Sequence, residues 1–159
     1  MNRQLQDNLH ASILDRLIDH EPELSSETAQ SRSTGFREIR EAVIRDIENL
    51  LNTKRSILPV SAAFPEVEKS LFTFGVADYS ADSPNSSYFR KKLLKDLRNT
   101  LARFEPRLRN VTVRVDPSSD NAQGLGFRIS GVLVVDPIAE PVIFDTYFDP
   151  KKDRYVIER

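Results

Sequence analysis

The chain has 159 residues, 39% of them hydrophobic, which suits one domain or one domain with an arm. Its 23 Lys+Arg and 24 Asp+Glu leave a formal net charge of −1, against a main role in coating nucleic acid or an anionic membrane, since both need a basic excess. The absence of cysteine excludes disulfides, thiolate zinc sites and cysteine nucleophiles, and two histidines, His10 and His20, are too few for a His-rich metal centre.

Residues 1–8 are polar and carry no apolar signal core. No stretch approaches the roughly 18 apolar residues that a spanning helix needs, so the expectation is a soluble, cytoplasmic protein without direct membrane insertion. Leu5, Leu9, Ile13, Leu14 and Leu17 recur at helical spacing and predict an amphipathic helix over 3–20, closed by Glu21-Pro22. Ser25 to Gly35 is polar and aperiodic and reads as a linker, so residues 1–35 form a helix-plus-linker arm ahead of a domain over 36–159.

A second helix is predicted from Phe36 to about Leu51–Thr53, with Thr34-Gly35 as cap candidates. Phe36, Ile39, Val43, Ile47 and Leu50 make its apolar face; Arg37, Arg40, Glu41, Arg45 and Glu48 make the charged one. Pro59 and Pro65 break the stretch that follows, and Leu71, Phe72 and Phe74 before Gly75 suggest a short buried segment. Ser83-Pro84 is expected to start the third helix, with the serine as N-cap. Phe89, Leu93, Leu97, Leu101 and Phe104 define that helix, and Arg90, Lys91, Lys92, Lys95, Arg98 and Arg103 stripe its other face. The stripe is either a solvated face or a docking surface for an acidic protein. Nucleic acid is not favoured, because no aromatics interleave with the bases.

Beyond Pro106 the period changes to two. Val111, Val113 and Val115 predict a first strand. Leu125 to Val135 predict a second, Val142 to Phe148 a third, and Tyr155–Ile157 a fourth. Short connections favour an antiparallel meander, and helices followed by strands give α+β: N-terminal helices packed on a small, mainly antiparallel four-stranded sheet.

Most catalytic signatures are missing. Gly124 and Gly126 lack the third glycine and the helix of a phosphate loop, and neither G-x-S-x-G nor H-E-x-x-H occurs. One segment stands out, Phe104-Glu105-Pro106-Arg107-Leu108. Pro106 ends the third helix, and an extended backbone through Arg107 would put Glu105 and Arg107 on one side. Three readings follow. The corner carries charges that meet water; or Glu105 and Arg107 anchor another chain through charged hydrogen bonds; or Glu105 is a general acid. The last needs a partner carboxylate roughly 5 to 9.5 Å away, for which Asp145 and Asp149 are the candidates. Arg107 beside Glu105 works against it, because a cation favours the carboxylate form.

Taken together, several segments in order resemble a known family. They are Leu14-Asp15-Arg16-Leu17, Ile47 to Arg55, Phe74-Gly75-Val76-Ala77-Asp78, Phe104 to Leu108, Leu125 to Gly131 and Pro141 to Thr146. They resemble the TssE proteins of bacterial type VI secretion systems, which are similar to the small wedge protein of contractile phage-tail baseplates. The resemblance implies a non-enzymatic baseplate subunit without a cofactor, joining the wedge complex to the contractile sheath, with Glu105, Pro106 and Arg107 as partner-binding residues. The family has carried a lysozyme-like label, which keeps a peptidoglycan hydrolase among the alternatives. A small anti-adaptor-like binding regulator on the same scaffold is the other. The partners expected are wedge and sheath subunits, not nucleic acid.

Overall fold

A computed structural model describes residues 12–18, 23, 35–79, 86–115, 126–149 and 154–158, the side chains of Arg16, Phe148 and Asp149 excepted. The alternating residues after Pro106 fold as a meander. Strands β1 (Leu108–Val115), β2 (Phe127–Val135), β3 (Ile138–Asp149) and β4 (Arg154–Ile157) lie in the order β1-β2-β3-β4, each pair antiparallel. Period two separates the faces. Leu108, Val113, Phe127, Ile129, Leu133, Val142, Phe144 and Ile157 are buried on one side; Arg109, Thr112, Arg114, Arg128, Ile143 and Tyr147 are exposed on the other. Strand β3 starts four residues earlier than its pattern predicts, because Asp136–Pro137 alone makes the turn and Val135 pairs directly with Ile138. Leu125, expected in β2, lies outside the described residues.

A register shift interrupts the β1–β2 ladder between Arg109 and Thr112, where Asn110 takes a positive φ of 55°. Gly131 makes this possible: a Cβ there would stand 2.9 Å from the Arg109 carbonyl oxygen.

Four helices accompany the sheet: α1 (Ile13–Leu17), α2 (Phe36–Asn52), α3 (Pro65–Glu68) and α4 (Ser87–Phe104). The two long ones pack their apolar faces on the sheet. Ile39, Val43, Ile44, Ile47 and Leu50 of α2 meet Phe89, Leu93, Leu97 and Leu101 of α4 and the inner strand residues in one core. Helix α2 keeps its predicted limits, and the Gly35 N–H donates to Glu38 at 3.3 Å. Helix α4 starts later than expected. Its N-cap is Ser86, whose hydroxyl accepts from the Phe89 N–H at 3.4 Å, while Ser83-Pro84 lies outside the described residues. A serine can cap from either place, so composition could not choose between them. Of the helix expected over 3–20 the described part is α1. His10, His20 and the linker before Gly35 lie outside the described residues.

Between α2 and α4 the chain loops out through α3 and a 3-10 turn at Leu71–Thr73. The buried segment expected here is corrected. Leu71 is 82% exposed and Phe72 is exposed too, while Thr73 and Gly75 are buried. Gly75, at φ 98°, lets the returning chain pass so close to Thr53 that a Cβ would overlap its carbonyl oxygen. Arg55 fastens this loop to α4, donating to the Gly75 carbonyl at 3.0 Å and to Thr100 at 2.6 Å and pairing with Asp96 at 3.0 Å.

The two sheet edges differ. On β4 the Tyr155 N–H donates to Asn52 Oδ1 at 2.8 Å, the Tyr155 carbonyl accepts from Asn52 Nδ2 at 2.8 Å, and the Ile157 N–H donates to Glu48 Oε1 at 2.9 Å. Side chains of α2 thus occupy that edge. No described strand pairs with the outer side of β1.

Candidate functional site

Pro106 has no N–H to continue α4, and its ring disfavours a helical residue before it. Glu105 accordingly leaves the helix at φ −121° and ψ 79°, its own N–H still donating to the Leu101 carbonyl at 2.9 Å. The Leu108 N–H then donates to the Glu105 carbonyl at 3.1 Å, so the chain turns at Pro106 and Arg107 and is not extended there. The Val134 N–H donates to the Arg107 carbonyl at 2.8 Å and ties the corner to the sheet.

The turn still brings the two charged side chains together. Arg107 Nε donates to Glu105 Oε1 at 2.7 Å and Nη2 to Oε2 at 2.6 Å, a two-pronged pair; the Arg107 backbone N–H adds a 3.2 Å bond to Oε1. Glu105 is only 3% exposed, which corrects the reading of a corner whose charges meet water. Pro106 is exposed, and the Arg107 side chain is 24% exposed.

How far this network extends was not legible in the residue pattern. Arg107 Nη2 also donates to Asp46 Oδ2 at 2.6 Å, and Asp46 Oδ1 accepts from Arg45 at 2.9 and 3.1 Å. Arg45 Nη2 donates in turn to Asp15 Oδ1 on α1 at 2.6 Å. Five alternating charges, Glu105, Arg107, Asp46, Arg45 and Asp15, therefore link α4, α2 and α1. The Glu105 hydrogen bond, opposed by burial and helped by Asp46, raises Arg107 above the ordinary arginine value. Burial pushes Asp15 upward, but the Ser12 hydroxyl and Arg45 outweigh it and hold the carboxyl below its ordinary 3.8. Among the described residues no buried side-chain N or O lacks a partner.

A cleft of about 610 Å³ opens beside the charges. Leu14, Ile39, Leu50, Phe74, Phe104 and Val135 form its apolar lining, and the Phe74 and Phe104 rings meet edge to face at 5.3 Å. Helix α1 contributes Leu14 and Asp15 to the cleft and leaves Ile13 78% and Leu17 76% exposed.

The site lacks the geometry of a carboxylate pair poised for acid catalysis. Both Glu105 oxygens accept from Arg107, leaving no oxygen turned to a substrate. Asp145 lies between the buried Phe144 and Thr146, hence on the opposite face of the sheet, where it pairs with Arg128 at 2.6 Å. The Asp149 side chain lies outside the described residues. The carboxylates that do share the cleft, Asp15 and Asp46, are each held by an arginine. Among the described residues no group of three His, Cys, Asp or Glu could hold a metal. What the arrangement offers is an oriented guanidinium next to an apolar cleft, which suits recognition of a protein surface.

Asp15, Arg45 and Asp46 were visible in the sequence only as members of charged helix faces, and Asp15 also within Leu14-Asp15-Arg16-Leu17. Residues 37–138, which span α2 to the first residue of β3 and include the whole Glu105–Arg107 corner, match the family model of baseplate wedge protein gp25. No curated protein matches the chain.

Proposed function

The chain belongs to the baseplate wedge protein gp25 family, the TssE family of type VI secretion and phage baseplates, and from that premise we propose that it serves a type VI secretion baseplate, linking the wedge complex to the contractile sheath and helping to nucleate it. The family is a structural one, which fits a subunit that assembles and does not turn over a substrate. The observation that carries the reading is the two-pronged hold of buried Glu105 on Arg107. It fixes a guanidinium, with exposed Pro106 beside it, in one orientation at the mouth of an apolar cleft. Preorganised charge of this kind sets the register and specificity of an interface more than its raw affinity. Pro106 and Arg107 meet the wedge, and Glu105 acts by holding Arg107. The sheet contributes the second contact: the edge strand β1, which pairs with no described strand on its outer side, accepts a strand from the first sheath ring. Assembly takes place on the cytoplasmic side; among the described residues no helix is long and apolar enough to cross a membrane.

The test is Arg107→Ala in the full chain, co-expressed with wedge subunits. Loss of co-purification with the protein still folded is the expected result. A wedge complex that forms as before would remove the anchor role.

A further inference from the structure

We infer that the loop from Ser56 to Phe72 is a docking surface, and that its occupant is an uncharged apolar groove on the wedge subunit that meets Arg107. This rests on the wedge reading above and deepens it by giving that partner a second recognisable feature.

Composition is the first sign. Ser56 to Phe64 (Ser-Ile-Leu-Pro-Val-Ser-Ala-Ala-Phe) has no charged residue, in a chain where 30% are charged. A loop that faces only water is normally polar. The structure leaves this one uncovered: every residue from Ser56 to Phe72 is exposed except the half-buried Val60. Ile57 is 93% exposed, and Leu58, Phe64, Val67, Leu71 and Phe72 are exposed with it. Single apolar side chains on a surface need no explanation, but six on one loop mark a contact site.

Hydrogen bonds, not packing, hold the loop in place. Its base is pinched where the Arg55 N–H donates to the Val76 carbonyl at 2.9 Å and the Val76 N–H to the Thr53 carbonyl at 2.8 Å. Further along, the Glu68 carbonyl accepts from Thr73 Oγ1 at 2.6 Å and from Arg103 Nη1 at 2.9 Å. Arg103 Nη2 also donates to Glu68 Oε1 at 2.7 Å. An apolar surface already held out in this way loses less freedom on binding than one that must first be ordered.

Position and charge choose the occupant. Arg103, which holds α3 through Glu68, stands in the last turn of α4, and that helix ends at the Glu105 corner. Phe74, two residues past Phe72 and so within about 7 Å of it along the chain, lines the cleft beside Pro106 and Arg107. One partner surface therefore reaches both the corner and the loop. Lys54 pairs with Asp78 at 3.1 Å, Arg55 with Asp96 at 3.0 Å, Lys69 with Glu66 at 3.1 Å and Arg103 with Glu68 at 2.7 Å. The charges of the loop and its base are thus matched within the chain. An occupant need bring none, and apolar area and shape decide the fit. A membrane surface fits less well, because a loop that inserts among anionic headgroups draws on basic residues, and these already hold acids.

The experiment titrates the full chain with purified wedge subunits in a calorimeter at several temperatures. The variant Ile57→Ser with Leu71→Ser changes two exposed positions and so keeps the fold. It should weaken binding about a hundredfold, tenfold for each aliphatic side chain lost from an interface. The heat-capacity change of binding should become less negative with it, the mark of apolar burial. Ile57→Leu with Leu71→Met should bind as the parent does. Unchanged affinity in the serine variant, with binding still lost in Arg107→Ala, would overturn the loop inference and leave the wedge reading standing. A parent chain that binds no wedge subunit would overturn both. Binding to anionic vesicles, or self-association in sedimentation velocity, that the serine variant abolishes while its wedge affinity stays that of the parent would assign the loop to lipid or to a second copy and overturn the inference.

Discussion

A guanidinium that donates at 2.6 and 2.7 Å to Glu105 and at 2.6 Å to Asp46 has little conformational choice left. Glu105 thereby positions a neighbour instead of presenting itself, and its value should be measurable as coupling. Glu105→Ala should lower the unfolding free energy by about 2–3 kcal/mol in urea, somewhat below the range for breaking a wholly buried pair, because Arg107 is partly exposed and keeps Asp46. A double-mutant cycle with Arg107→Met should return about 1–2 kcal/mol of interaction energy. Additive effects would mean that the two side chains merely sit side by side.

At the scale of elements, α1 is lightly held. Five residues are far too few to be helical alone, and Ile13, Leu14 and Leu17 are all largely exposed, so among the described residues the Asp15–Arg45 bridge is the main attachment. Because the folded carboxyl titrates below its ordinary 3.8, the stabilisation from docking is fully present above about pH 4 and is lost as pH falls through the lower folded value. The chain has no cysteine, so Leu17→Cys offers a single site for a dye whose rotational freedom reports docking. That freedom should be low at pH 7 and rise below pH 3.8, and with Asp15→Asn it should be high throughout. A parent and an Asp15→Asn variant with the same dye signal at pH 7 would show that packing, not this bridge, secures α1.

For the molecule as a whole, the meander leaves two edges, and the fold treats them oppositely. Helix α2 fills its inner face with Ile39, Val43, Ile47 and Leu50, and with Glu48 and Asn52 on its flank it also occupies the outward backbone groups of β4. A strand arriving at β4 would have to displace those hydrogen bonds, which guards this edge against pairing. Glu48→Ala combined with Asn52→Ala should uncover β4 and raise concentration-dependent self-association in sedimentation velocity. A double variant that sediments like the parent would show that the edge needs no such guard.

The residue pattern alone established the α+β class, the limits of α2, the end of α4 at Pro106 and the presence of four strands, while their order β1-β2-β3-β4 came from the tertiary structure. Each of these depends on periodicity or on proline, and both act between near neighbours in the chain. The start of α4 and the exposure of Leu71 and Phe72 were not legible, because capping serines and short apolar runs look alike before packing selects among them. The site was half legible. Glu105-Pro106-Arg107 stood out as a local oddity, but the Asp46 and Asp15 carboxylates come from positions 61 residues from Arg107 and 30 from Arg45. Charged partners follow no period, and a surface carboxylate in the sequence looks the same whether it faces water or an arginine. Tertiary structure alone decided which ones meet, by docking two helices and a corner against one cleft, and it alone decided which edge of the sheet α2 covers.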